Sequence, residues 1–495
     1  MRNASITAMS TPKPPPPALP STAASAPRPP RAAPPAWAVL LAACAGQFVV
    51  VLDVSVVNVA LPSIRTDLGL GETALQWVVN AYALTFAGFM LLGGRAADLF
   101  GRKRVFLTGL GLFTVASLIG GVAQQPWQLV AARALQGLGA AVLSPATLTI
   151  LTTAFPHGAA RTRAIGTWAA VGAGGGAAGG LVGGVLTEYL SWRWVLLVNV
   201  PVGVVVLVAA VVWLTESRSG VARRLDIPGA LLVTAGVTAL AYGIVQTEPH
   251  GWGAVASLGP LLGGLVLLAV FVAVEARTEE PLMPLRLFRI RAVTSANAVM
   301  VVCGGGMFAM WYFMSLYLQN VLHYSPVKAG LAFLPHTVSI ILGSKLAPRL
   351  MVRLDGKLLA IAGGTLTVVG YAWQSRMDAD GTFAGTVLGP AIVMSFGAGL
   401  MMTPLAASAT SGAAPSEAGL VSGLVNTSRQ IGGALGLTVL ATVAAERITA
   451  RGGGGPEALA AGYGHAFVVA TGIIAAAVVL MAVALPRTPA AARAD

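Results

Sequence analysis

Fourteen long apolar stretches dominate this chain of 495 residues, and they restrict what it can fold into. The chain is 56% hydrophobic and only 10% charged, with a mean hydropathy of +0.78. As helices rising about 1.5 Å per residue, the stretches are long enough to cross roughly 30 Å of hydrocarbon. Repeated apolar runs of this length are not a feature of soluble proteins, so we predict an all-α polytopic membrane protein. The predicted spans cover residues 37–59, 75–94, 105–123, 128–151, 164–187, 195–214, 226–245, 254–274, 293–318, 329–348, 358–374, 384–405, 418–443 and 466–485.

Lys and Arg are distributed unevenly between the two sets of loops. An even number of spans puts both chain ends on one side of the membrane. Of the 31 Lys and Arg residues, 22 fall in the tails and loops of that side, whereas 6 fall in the opposite loops. Because cytoplasmic loops are enriched in basic residues, we predict a plasma (inner) membrane protein with both termini in the cytoplasm. This topology also accounts for the net charge of +13 without a nucleic-acid partner.

The two ends of the chain and its two cysteines carry no sign of a separate function. Residues 1–36 are rich in Pro, Ala and Ser, and no apolar segment before a cleavage site marks a signal peptide. We predict a disordered cytoplasmic N-tail there and a short C-tail at residues 486–495. Cys44 and Cys303 fall in apolar spans, where small buried side chains are expected rather than a disulfide or a metal site.

Asp53 is the only carboxylate that lies well inside a predicted span. A charge at bilayer depth costs at least about 2.5–3.5 kcal/mol on insertion scales, and such residues commonly mark proton paths. Arg133 in span 4 lies at a similar depth, roughly 8–9 Å below the outer surface by residue count. We therefore predict that Asp53 and Arg133 can interact and that they couple proton movement to transport. A static polar contact that fixes packing is the alternative.

Several ordered motifs accompany this pair. The chain carries LDVSVVNVALPSI at 52–64, GGRAADLFGRKRVF at 93–106, RALQGLGAA at 133–141, WRWVLLVNVPVG at 192–203, YLQNVLHYSPVKAGLAFLP at 317–335 and SRQIGGALG at 428–436. Together these motifs resemble the major facilitator superfamily, and within it the fourteen-span drug:proton antiporters. The resemblance covers nearly all of residues 37–485.

The resemblance implies a particular domain organisation. Two six-helix bundles would span residues 37–214 and 292–485, and the linker at 215–291 would carry two inserted transmembrane helices. A basic loop between spans 10 and 11, APRLMVRLDGKLL, echoes the loop between spans 2 and 3, as expected of an internal repeat.

The resemblance also implies roles for two sets of residues. The loop between spans 2 and 3 would control conformational exchange through Gly94, Asp98, Gly101, Arg102 and Lys103. The antiporter motif of span 5 would pack helices through Gly175, Gly179, Gly180, Gly183 and Gly184. Gly180 departs from the family, which has proline at that place. Because glycine does not impose a proline kink, we expect looser coupling here.

Polar and aromatic residues inside the spans are candidates for a substrate cavity. They are Gln136, Phe308, Trp311, Tyr312, Asn426 and Arg429. Aromatic faces accept flat apolar or cationic ligands, but they also pack against each other. For Arg429 a substrate contact, a relay partner and a structural tie are all open. His336 is either a second titrating site or hydrogen-bonded scaffolding, and Lys345 is expected to extend towards the interface.

The sequence argues against enzyme chemistry. It contains no G-x-x-x-x-G-K-[ST], G-x-S-x-G or H-E-x-x-H string, which would indicate a P-loop, a nucleophile elbow or a zinc protease. We therefore predict a monomeric transporter without a cofactor, in which a proton is the coupling ion. It would export hydrophobic or cationic drugs, antibiotics or related small molecules. The alternatives are a transporter of another small metabolite, including uptake, and a membrane-embedded enzyme or sensor.

Overall fold

The computed structural model describes residues 35–155, 159–217, 225–411 and 418–487. Within these ranges the chain is helical, without strands, and its described part belongs to one compact unit. Nearly all of the predicted N-tail and all but two residues of the predicted C-tail lie outside the described residues. The predicted all-α class is confirmed. The division into two six-helix bundles and a linker stays a prediction.

Fourteen helices of at least nineteen residues follow one another in the described ranges, and each predicted span falls on one of them. The first seven are α1 (Ala36–Leu68), α2 (Glu72–Phe100), α3 (Arg102–Gly121), α4 (Pro126–Ala154), α5 (Ala159–Tyr189), α6 (Trp194–Trp213) and α7 (Ile227–His250). The others are α8 (Val255–Arg277), α9 (Arg291–Val321), α10 (Pro326–Met351), α11 (Gly356–Gln374), α12 (Phe383–Thr410), α13 (Ala418–Ala450) and α14 (Pro456–Ala484).

Length and composition qualify thirteen of these helices to cross a membrane. The remaining one, α11, is nineteen residues long, and Lys357 and Gln374 near its ends lower its hydropathy. Several helices run past the predicted spans. For example, α1 continues through Arg65 to a left-handed cap at Gly69 with φ 64°, because its backbone stays hydrogen-bonded after the apolar run ends.

Small residues let the helices approach closely. A Cβ atom placed on Gly139 of α4 would lie 2.7 Å from the backbone nitrogen of Phe113 in α3, and one on Gly363 of α11 would lie 2.7 Å from the backbone oxygen of Gly397 in α12. Lipid gives apolar helices little hydrophobic reason to associate, so close backbone packing supplies much of the attraction.

The inserted helices α7 and α8 lie at the periphery. They pack on each other, and α7 also contacts α2 and α13. The outer surface of α8 is exposed and apolar, including Val255, Leu262 and Val266. This surface fits contact with lipid tails.

Glu275, near the end of α8, is a second buried carboxylate that the sequence analysis does not single out. It is 2% exposed and lies beside Asp226, which caps α7 through Gly229. A Cβ atom on Gly229 would lie 2.5 Å from Asp226 Oδ2 and 2.6 Å from Glu275 Oε1. Neither oxygen has a hydrogen-bond partner in the described part of the chain.

The fourteen helices define two ends of the molecule. We call the side where α1 begins and α14 ends the terminal face, and the other side the distal face. At the distal face α5 meets α10 at backbone distance, because a Cβ atom on Gly184 would lie 2.5 Å from the Pro326 oxygen. The Val327 amide donates to Glu188 Oε2 at 2.9 Å beside this crossing. Helices α5 and α10 are therefore closed against each other at this end.

Candidate functional site

A buried polar network surrounds Asp53. Arg133 Nη1 donates to Asp53 Oδ2 at 2.6 Å. Gln136 Nε2 and Asn199 Nδ2 donate to Asp53 Oδ1 at 3.1 and 2.8 Å. Asp53 is 0% and Arg133 2% exposed, so the ion pair balances two charges that would be costly alone at this depth. The network ties α1 to α4 and to α6.

Arg133 is held on its other sides as well. Its Nε donates to the Val78 carbonyl at 3.0 Å and its Nη1 to Gln136 Oε1 at 2.8 Å. Its guanidinium also lies over the ring of Tyr82, with Cζ 4.5 Å from the ring centroid, a cation–π geometry. These contacts fix the guanidinium in place beside Asp53.

The glycines of RALQGLGAA explain why this network forms. A Cβ atom on Gly137 would overlap the Tyr82 carbonyl of α2, so only glycine allows α4 to touch α2 there. Gly139 does the same towards α3. These two approaches bring Arg133 and Gln136 within reach of α1.

The predicted approach of Asp53 and Arg133 is present in the structure, while their role in proton coupling stays a prediction. Gln136 corrects the sequence analysis, because it belongs to the Asp53 network and not to the cavity. Asn199 and Tyr82 are network members that the analysis did not single out. The only signal for Asn199 was one amide in the apolar motif WRWVLLVNVPVG.

The loop between α2 and α3 is fastened to the end of α6. Arg102 pairs with Asp98 at 3.3 Å, and its backbone nitrogen donates to the Ser217 carbonyl at 3.0 Å. Lys103 Nζ donates to the carbonyls of Val211 and Leu214 at 2.7 and 2.6 Å. A basic side chain at the carboxyl end of a helix satisfies its free carbonyls.

Glu216, which sequence reasoning missed, completes this loop. Its two carboxylate oxygens accept from the backbone nitrogens of Lys103 and Arg104, both at 3.2 Å, and so cap the amino end of α3. Gly101 has φ 103° and lies against the Glu216 carboxylate, where any Cβ would collide. Gly101 is thus favoured by its backbone conformation, and a larger residue would also displace the Glu216 carboxylate. Gly94 faces α4, where a Cβ atom on Gly94 would lie 3.6 Å from Pro145 Cβ.

The span 5 glycines form two faces of α5. Gly175, Gly179 and Gly183 face α1, where a Cβ on Gly183 would lie 2.9 Å from Val56 Cα. Gly180 and Gly184 face α10, and a Cβ on Gly180 would lie 3.2 Å from the Gly330 oxygen. The motif therefore packs α5 against both α1 and α10.

A cavity of about 360 Å³ lies between α1, α2, α4 and α5 on one side and α9, α10 and α13 on the other. It is mostly apolar, with Val50, Val54 and Phe86 on one side and Ile340 and Ile341 on the other. Four of the predicted cavity residues line it: Phe308, Trp311, Asn426 and Arg429. Asp53 does not line it, but Tyr82 does, so the Tyr82 ring stands between the cavity and the ion pair.

Tyr312 is not a cavity residue, contrary to the sequence analysis. It is 1% exposed and packs edge-on against Phe313, with ring centroids 5.1 Å apart. Successive residues of a helix point about 100° apart, so Trp311 can face the cavity while Tyr312 faces the core.

Arg429 is the only charged side chain among the described residues that line the cavity. Its Nη2 donates to Asn426 Oδ1 at 2.8 Å. The lining therefore offers no carboxylate to the cationic substrate that the sequence analysis allowed.

The remaining polar candidates lie outside the cavity lining. His336 is buried, with Nδ1 2.9 Å from Ser395 Oγ, which fits the scaffolding alternative. Lys345 is exposed, as expected of a side chain that reaches the interface. Cys44 and Cys303 are buried and free.

Known proteins resemble this chain along most of its length. The family model described as Major Facilitator Superfamily matches residues 43–437. The chain is 49% identical over 462 residues to the cephamycin export protein CmcT of Amycolatopsis lactamdurans, covering 92% of this chain and 93% of that protein. It is 40% identical over 456 residues to the puromycin resistance protein pur8 of Streptomyces alboniger, covering 91% and 90%.

Solved structures with a similar fold have low sequence identity. A bacterial homologue of the human lysosomal transporter Spinster, in an inward-facing and unoccupied conformation, has a TM-score of 0.64 at 17% identity and covers 91% of this chain and 96% of its own. The peptide transporter POT in complex with sulfate has a TM-score of 0.63 at 16% identity, with coverages of 90% and 94%.

Proposed function

The chain belongs to the Major Facilitator Superfamily, and on this premise we propose that it exports antibiotic-like small molecules across the plasma membrane in exchange for protons. Its family and its relatives identify it as a transporter rather than an enzyme. The observation that carries the proposal is the Asp53–Arg133 pair, buried next to the cavity and separated from it by Tyr82.

The substrate class is supported by the cavity and by the relatives. Two proteins that align along almost the whole chain are named for cephamycin export and puromycin resistance. The apolar lining, with Trp311 and Phe308 as flat surfaces, suits a hydrophobic ring system. We also propose that the protein works as a monomer.

Proton coupling follows from what Asp53 does in the network. As a carboxylate it accepts from Arg133, Gln136 and Asn199 at once. A proton on Asp53 would cancel its charge and weaken its tie to Arg133. Because these bonds join α1 to α4 and α6, protonation would change how those helices hold together, and thereby bias one conformation over another.

Orientation follows from charge. Most Lys and Arg residues fall in the tails and loops on the side of the chain ends by sequence, and we therefore place the terminal face in the cytoplasm. The distal face, where α5 and α10 meet, would then be the outer side, and the structure would represent a state closed towards the outside.

Transport in inverted membrane vesicles tests this function. With an imposed proton gradient, wild-type protein should accumulate a labelled substrate from a panel that includes cephamycin and puromycin, and an uncoupler should abolish accumulation. Asp53→Asn should lose uphill transport at least about 100-fold while staying folded, because the titrating group is gone. Asp53→Glu should retain part of the activity. Normal proton-driven transport by Asp53→Asn would refute the coupling role, and absence of accumulation across the panel would refute the export function.

A further inference from the structure

We propose that Arg429 selects substrates that carry an anionic group, so that the cavity takes amphiphilic carboxylates in preference to cations. The inference rests on the proposed export function and assigns a chemical class to its substrates.

The two intramembrane arginines differ in whether a carboxylate balances their charge. Arg133 is neutralised by Asp53 at 2.6 Å and is 2% exposed. Within the described ranges, the neutral amide oxygen of Asn426, at 2.8 Å, is the only hydrogen-bond acceptor found for the Arg429 side chain. An amide orients a guanidinium but does not cancel its charge, so the positive charge of Arg429 remains available to a ligand.

The lining of the cavity carries the second step. No Asp, Glu, Lys or His occurs among the described lining residues, and Arg429 is the single charged group. Its neighbours in the lining are mainly aliphatic and aromatic. Charges interact more strongly beside apolar protein surfaces than in bulk water. A cation entering the cavity would meet repulsion, whereas a carboxylate would supply the missing partner.

The backbone of α13 at Arg429 is held close to α9. A Cβ atom on Gly304 of α9 would overlap the Arg429 carbonyl, and one on Gly432 would overlap that of Val301. These glycines hold α13 tightly against α9. Trp311 and Phe308 on α9 also line the cavity. A ligand with a carboxylate and a flat apolar body therefore finds a charge for one end and rings for the other.

The first experiment measures binding to purified protein in nanodiscs. Three probes share one diethylaminocoumarin body and carry a carboxylate, a methyl amide or a trimethylammonium group. Wild-type protein should bind the carboxylate about 10- to 100-fold more tightly than the amide, the range expected for a hydrogen bond between charged groups. The trimethylammonium probe should bind most weakly. Equal affinities for the three probes would overturn the proposal.

Two variants separate a substrate contact from a structural tie. Arg429→Gln should remove the preference for the carboxylate and leave affinity for the amide unchanged. Asn426→Asp should have the same effect with the guanidinium still present, because the new carboxylate would lie where Asn426 Oδ1 now accepts from Arg429. If both variants lower affinity for all three probes alike, Arg429 is a structural tie.

Transport of the same probes in inverted vesicles distinguishes this inference from the proposed function. Binding that prefers the carboxylate, without proton-driven uptake of any probe, would refute export and leave the selectivity of the cavity intact. Proton-driven uptake that treats the three probes equally would refute the selectivity and leave export intact.

Discussion

Tyr82 occupies the boundary between the cavity and the buried ion pair. Its ring lines the cavity, stacks near Phe86 with centroids 5.8 Å apart, and lies under the guanidinium of Arg133. Its hydroxyl group is buried and has no hydrogen-bond partner in the part of the chain that the structure describes. The ring of Tyr82, and not its hydroxyl group, therefore separates the cavity from the ion pair.

This division predicts opposite outcomes for two substitutions. Tyr82→Phe keeps the ring and removes an unsatisfied hydroxyl, so transport should stay near the wild-type level and stability should be unchanged or slightly higher. Tyr82→Ala opens the wall between the cavity and Asp53, and substrate-free proton leak should rise several-fold. Leak can be followed with a pH-sensitive dye inside proteoliposomes. Equal leak in both variants would show that the ring is not a barrier.

For single residues, the sequence reveals how far along a helix a side chain lies, but not which way it points around the helix axis. The approach of Asp53 to Arg133 could be predicted because residue count fixes how far along a helix a side chain lies. Gln136 and Tyr312 were misplaced because their direction around the helix depends on which helices pack beside them. Glu216 was missed because the hydrogen bonds by which it caps α3 come from backbone amides, which leave no pattern in the sequence.

Within α5, the Gly176 carbonyl has a hydrogen-bond donor from a neighbouring helix. Ser55 Oγ of α1 donates to the Gly176 carbonyl at 2.8 Å. In an α-helix that carbonyl also accepts from the amide of Gly180, four residues later. A proline at position 180, as in the family motif, would remove that amide. The Ser55 hydroxyl already provides a substitute donor.

The Gly180→Pro variant should consequently fold. Its cost should stay below the roughly 3 kcal/mol of a proline in an ordinary helix interior, and its substrate-free proton leak should fall. Adding Ser55→Ala should destabilise this variant by about 1–3 kcal/mol more than it destabilises the wild type, since a buried carbonyl would then be unpaired. Thermal unfolding of the four proteins in detergent measures the coupling. Additive effects would exclude the compensation by Ser55.

For the whole molecule, the number and order of helices could be predicted because each apolar run must cross the bilayer. The contact of α5 with α10 could not be predicted, because it depends on how closely the two backbones fit at a single crossing. A Cβ atom on Gly330 would overlap the Gly180 carbonyl, so α5 and α10 meet at backbone distance on the distal face.

Gly330→Ala should therefore increase the distance between α5 and α10 on the distal face. We expect the conformational balance to shift towards states open at the distal face and turnover to fall several-fold, because closure there would be incomplete. Double electron–electron resonance between spin labels at the distal ends of α5 and α10 would show longer distances. Gly174→Ala is the matched control, because nothing lies within 4 Å of its virtual Cβ. Unchanged distances in Gly330→Ala would mean that the crossing does not limit closure.

The unpaired charge of Arg429 has a consequence for energy supply. If one proton enters as each monovalent anion leaves, two elementary charges move in the electrically favourable direction per cycle. A membrane voltage of 100 mV then contributes about 4.6 kcal/mol, enough to hold roughly a 2000-fold concentration ratio without any difference in pH. A transporter with this cavity would draw its power mainly from voltage, and it would keep working in cells whose surroundings are as alkaline as their interior.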